Sequence, residues 1–181
     1  MPKQEFPFPM PNGWFCIVRS HELENGELKS IKFCEKDVAA FRTASGKVAV
    51  LDAYCGYSGI NLGISGCVEG ENLVCTQHGI KWDVNGSCAE IDEKSSVPDS
   101  AKEIKMFNYP VVEVNGFIWA WHHLHKEDPE WEVPAIEGFN GDDDKWGKTY
   151  YYDYNINTVL QEIAENDVDQ AHFPKVHGSP S

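Results

Sequence analysis

The chain has 181 residues, enough to bury the core of one ordinary domain, and that length argues against a full two-domain enzyme. Its formal charge of −14 argues against binding to nucleic acid or to an anionic membrane, both of which rest on basic patches. No apolar run approaches the ~18 residues of a membrane helix, the proline-rich opening is unlike a signal peptide, and the six cysteines show no disulfide spacing, so they are expected to be reduced and the protein cytoplasmic.

After the proline-rich arm, residues 14–19 predict a short strand, and residues 21–28, with Asn25-Gly26, a turn-bearing loop. Residues 31–34, 38–43 and 47–51 are β-rich runs, the last two separated by Ala44-Ser45-Gly46, which suits a hairpin. Cys55 follows directly and opens a C-x-Y-x-G loop carrying Tyr57. Residues 68–74 contain a turn at Gly70-Glu71-Asn72 and lead into Cys75-Thr76-Gln77-His78-Gly79, a C-x-x-H-G loop. Residues 80–84 then run into Asn85-Gly86, a favoured hairpin turn. Residues 111–114, Asn115-Gly116 and residues 117–121 form the clearest hairpin, with alternation on both arms. Short strands at regular turns predict a mainly β architecture, a sandwich or small barrel.

Residues 127–144 mix prolines and glycines with eight acidic side chains and read as a connector. Residues 148–154 return to strand character. From Asn157, taken as the N-cap, apolar residues at Val159, Leu160, Ile163, Ala164 and Val168 fall at helical spacing. Within and beyond that helix lies N-x-x-D-x-x-H-x-x-x-x-H, from Asn166 through Asp169 and His172 to His177.

Both ends of the stretch from Cys55 to Gly79 carry metal-ligand spacing. Two thiolates and two imidazoles on paired loops are the ligands of a Rieske [2Fe-2S] centre. Cys55, Cys75 and His78 supply three of them, and Tyr57 stands at the fourth position. Tyrosine can ligate ferric iron as a phenolate, although its ordinary pKa near 10 must first be overcome by the metal. Two histidines and a carboxylate on one face, with open positions opposite, hold non-haem Fe(II) for dioxygen chemistry. His122, His123 and His125 are expected to be exposed loop residues, and Cys16, Cys34, Cys67 and Cys88 to be packing residues.

The conjunction of the two motifs, with Pro11-Asn12-Gly13-Trp14, Leu51-Asp52-Ala53-Tyr54-Cys55, Asn61-Leu62-Gly63 and Trp131-Glu132-Val133-Pro134, resembles the α subunits of Rieske non-haem iron oxygenases, in the branch of steroid hydroxylases and cholesterol 7-desaturases. That resemblance implies a Rieske-type β domain over residues 1–126, a connector over 127–147 and a short α+β part of a catalytic domain over 148–181. It implies an oxidoreductase cluster held by Cys55, Cys75 and His78, with Tyr57 at the fourth ligand position, and a mononuclear non-haem iron at His172 and His177. Asp169 would bridge His78 to His172 across a subunit boundary of a homo-oligomer, a trimer in the family. The partners implied are an NAD(P)H-dependent reductase or a ferredoxin. The third iron ligand of the family lies beyond the residues present here, so the chain is expected to be a truncated or degenerate oxygenase component, inactive alone. The competing expectation is a cluster-free β domain with a binding or assembly role.

Overall fold

A strand sends successive side chains to opposite faces, so an unbroken apolar run is stable only where both faces are covered. Val38-Ala39-Ala40-Phe41 is such a run, and its surroundings organise the fold. The computed structural model describes residues 9–139, 146–147 and 149–178. Its strands are β1 (Gly13–Arg19), β2 (Leu28–Phe33), β3 (Lys36–Arg42), β4 (Val48–Asp52), β5 (Gly66–Glu69), β6 (Asn72–Cys75), β7 (Ile80–Trp82), β8 (Cys88–Ile91), β9 (Asn108–Tyr109), β10 (Val111–Val114) and β11 (Phe117–His122). They form three antiparallel sheets, in the orders β1-β11-β10, β2-β3-β4-β9 and β5-β6-β7-β8.

The middle sheet is buried on both sides. From β3 and β4, Ala39, Phe41, Ala49 and Leu51 enter a core with Cys55, Leu62, Leu73, Cys75, Ile80, Trp82 and Met106. The alternate residues Val38, Ala40 and Val50 enter a second core with Phe33, Tyr109 and Ala120. The period of two thus assigns neighbouring residues to different cores. Each large apolar side chain buried this way contributes about 1.5 to 3 kcal/mol.

Arg42 ties the sheets together at the end of β3. Its guanidinium donates to both Glu113 carboxylate oxygens, at 2.9 and 2.8 Å, and to the carbonyls of Leu23, Gly46 and Ser20. Residues beyond β11 are laid along β1 and the β10–β11 turn: Trp14 Nε1 donates to the Trp131 carbonyl at 2.7 Å, and Asn115 Nδ2 to that of Pro134 at 2.9 Å. Of the described residues, those from 10 to 147 make up this compact unit, and those from 149 to 178, with Pro9, make a second.

The strands and hairpins expected from the sequence are present, with four local differences. Residues 149–156 form no strand, and residue 148 lies outside the described residues. The helix is α2 (Leu160–Val168), preceded by α1 (Leu62–Ser65), and it starts after Val159 without a side-chain cap. Asn157 is not its cap because Thr158 N–H bonds to the Ile156 carbonyl, turning the chain before the helix begins. His122 and His123 are half-buried: Phe33 and Phe15 pack edge-on to His122, and Trp121 stacks on His123. Cys16 is exposed because it faces outward from β1.

Candidate metal centre

Two loops meet at one end of the β5–β8 sheet. Cys55 follows β4, and its loop closes on itself: Cys55 N–H donates to the Ile60 carbonyl at 2.8 Å, and Gly59 N–H to the Cys55 carbonyl at 2.7 Å. Cys75 ends β6, and its carbonyl accepts from His78 N–H at 3.2 Å and Gly79 N–H at 2.8 Å. Gly79 adopts φ +67°, which lets the chain reverse into β7, and a Cβ there would lie 2.6 Å from the Asp92 side chain. The second loop is braced from behind, since Asp92 N–H donates to the Gly79 carbonyl and Ser95 Oγ to the His78 carbonyl at 2.6 Å.

This scaffold brings the four expected side chains together. The Cys55 and Cys75 thiols are both buried in the same core. Burial chiefly, then the neighbouring Cys55, pushes the Cys75 thiol up from its ordinary range, partly offset by the N–H groups of His78 and Gln77. His78 turns Nδ1 toward Cys75 Sγ at 3.7 Å. The Tyr57 ring stands edge-on to the His78 imidazole, with centroids 5.4 Å apart, and is 38% exposed at the mouth of the site.

Among the described residues no three His, Cys, Asp or Glu side chains converge tightly enough to hold a single ion. A [2Fe-2S] cluster divides its ligands into pairs, one pair per iron. Pairwise convergence is what the site offers, with two thiols together and a phenol beside an imidazole. The donor set therefore fits such a cluster at three positions, with a phenol oxygen at the fourth. Sequence reasoning passed over Trp82, which shares the buried core with both thiols. The signal was available in the pattern: Cys75 pairs with Ile80 and Leu73 with Trp82, so the period of two puts all four on one face.

In the second unit, α2 ends at Val168 and is followed by a wide helical turn over Phe173–His177. The rings of His172 and His177 are 5.2 Å apart. His172 Nδ1 lies 2.6 Å from the Asp169 carbonyl, and a carbonyl only accepts, so Nδ1 carries the proton. The other nitrogen, Nε2, is buried without a hydrogen-bond partner. Metal-bound histidines are commonly oriented this way. Asp169 Oδ2 is 3.6 Å from the same Nδ1.

The family model of the Rieske [2Fe-2S] domain matches residues 13–108, and that of the 3-ketosteroid 9α-hydroxylase C-terminal domain matches residues 120–181. The chain is 36% identical over 176 residues to cholesterol 7-desaturase nvd 1 of Ciona intestinalis, covering 96% of this chain and 36% of that protein. It thus spans little more than a third of that relative. Among solved structures, dicamba monooxygenase bound to dicamba superposes with a TM-score of 0.69 at 24% identity, covering 92% of this chain and 48% of that one. The oxygenase in its reduced complex with ferredoxin, from carbazole 1,9a-dioxygenase, does so with a TM-score of 0.54 at 23% identity, over 61% of this chain and 28% of that one. With the Rieske model matching more than half of its residues, and its two loops converging as that domain requires, the chain belongs to the Rieske oxygenase family.

Proposed function

We propose that this chain is the cluster-bearing part of a Rieske oxygenase component that relays electrons to a dioxygen-activating iron. The observation that carries the reading is the convergence of Cys55, Cys75, His78 and Tyr57 on two braced loops. When bound, a [2Fe-2S] cluster supplies one-electron transfer and a mononuclear ferrous ion supplies dioxygen chemistry. Cys55 and Cys75 would hold one side of the cluster, and His78 with Tyr57 the other. His172, through Nε2, and His177 would hold the mononuclear iron, while Asp169 orients His172 through its carbonyl. The Asp169 carboxylate accepts from Ala171 N–H at 3.1 Å, and in a homo-oligomer, a trimer by family likeness, it would reach His78 of a neighbouring subunit. Ferredoxin or an NAD(P)H-dependent reductase is the electron donor, and the names of the desaturase relatives favour a sterol as substrate.

Tyr57 favours one second reading, a cluster-free Rieske fold with a binding or assembly role, because a phenol ligates only after losing its proton. Iron and acid-labile sulfide analysis of the chain purified without oxygen separates the two. Two irons and two sulfides per chain support the relay. Protein that stays colourless after reconstitution with ferrous iron and sulfide supports the cluster-free domain.

A further inference from the structure

Trp82 is fully buried, and its indole Nε1 has no hydrogen-bond partner. A buried N–H left unpaired loses its hydration without recompense, so such a group calls for an acceptor. The core around it offers very few. Ala39, Phe41, Ala49, Leu51, Leu62, Leu73 and Ile80 carry no acceptor in their side chains, and the Met106 thioether is a weak one. The remaining buried members of that core are Cys55 and Cys75, while Cys88, opposite Trp82 on β8 and packed at the edge of the core, turns its thiol to the Glu90 carbonyl at 3.7 Å. The ring also reaches the cluster loop: Trp82 Cη2 lies 3.7 Å from where a Cβ on Gly56, the residue after Cys55, would stand.

We infer that Trp82 is a positioning residue whose indole N–H donates a hydrogen bond to sulfur of the iron-sulfur centre, at a thiolate of Cys55 or Cys75 or at a sulfide beside them. A neutral thiol is a poor acceptor, whereas a metal-bound thiolate or sulfide carries negative charge and is a good one. The bond strengthens as charge builds up on sulfur, so it favours the reduced state and raises the midpoint potential. The inference rests on the cluster reading above.

The test compares the chain and Trp82→Phe, each reconstituted anaerobically with ferrous iron and sulfide, by redox titration and by pulsed EPR of the reduced protein in H2O and D2O. The expected result is a lower midpoint in Trp82→Phe and the loss of one exchangeable proton coupling, at unchanged iron and sulfide content. Nitrogen-15 labelling of tryptophan in the unaltered chain gives a readout that needs no variant: a coupling from an indole nitrogen to the reduced centre. Loaded protein showing no such coupling, or a Trp82→Phe midpoint equal to that of the unaltered chain, overturns the hydrogen bond and leaves the cluster reading standing. If the unaltered chain takes up no cluster, the cluster reading itself fails and the inference with it.

Discussion

At position 57 a phenol stands where the family pattern has an imidazole, and the loop around it is otherwise intact. The Cys55 turn is closed by two backbone hydrogen bonds, so exchanging the side chain alters the donor without disturbing the frame. A Tyr57 phenolate would add negative charge to a bound cluster, which would disfavour its reduced state. Tyr57→His is therefore expected to raise the cluster midpoint or, where Tyr57 fails to ligate, to raise iron and sulfide content. An unchanged visible spectrum together with unchanged iron content would refute both. Gly79 is constrained by conformation as well as space, since φ is +67° and Asp92 fills the room a side chain needs. Gly79→Ala should cost about 1 to 3 kcal/mol in urea denaturation and weaken cluster retention, because it strains the turn that carries His78. Gly59→Ala, also at positive φ but with open space around it, should cost less. The pairing of the two candidate loops was legible because each carries metal spacing and adjoins a strand. Trp82 was not, because whether an indole N–H finds a partner depends on side chains from strands distant in sequence.

The elements show where pattern reading succeeds and where it stops. Residues 38–41 announce a strand through their β-branched and apolar content, but no local signal says that the two faces of β3 serve two cores. That follows from what β4 and the flanking sheets bring to each side. The expected strand over residues 148–154 failed for the opposite reason. Its tyrosines have strand propensity, but a strand exists only by pairing, and Tyr150, Tyr152 and Tyr154 are 71%, 74% and 81% exposed. Across elements, Arg42 is the polar tie with several partners, joining β3 to β10 and to the loop after β1. Arg42→Lys loses the two-pronged geometry and most of the carbonyl contacts, and should cost about 2 kcal/mol. The Arg42 guanidinium holds Glu113 below its ordinary value of about 4.5, which gives this tie a pH signature. A depressed carboxylate stabilises the fold above its unfolded value, and the contribution fades as pH falls through the folded one. Urea midpoints of the chain and Glu113→Gln should therefore differ near neutrality and converge in strong acid. A gap independent of pH would remove the ion pair from the account.

On the scale of the whole molecule, the two units differ in what holds them. Residues 10–147 contain both buried cores, the Arg42 tie and both cluster loops. A version ending at Gly147 is therefore expected to unfold cooperatively and to bind iron and sulfide as the full chain does. In the second unit, Ile156, Val168 and Val176 are 57%, 78% and 70% exposed alongside four exposed tyrosines. Apolar surface of this extent seeks a partner, and removing each large side chain from water is worth about 1.5 to 3 kcal/mol. The full chain should therefore self-associate in a concentration-dependent way, and the version ending at Gly147 should not. Light scattering of both across a dilution series decides this, and a full chain that stays monomeric at high concentration would contradict it. Iron at the second unit should be weak for a related reason: His172 and His177 offer two nitrogens, and among the described residues no carboxylate converges with them to complete a three-ligand face. Supplied with reductase, NAD(P)H and dioxygen, the chain is expected to turn over no sterol. Ferrous iron bound stoichiometrically, with oxygen consumption that depends on sterol, would mean that a carboxylate from elsewhere in the assembly completes the site.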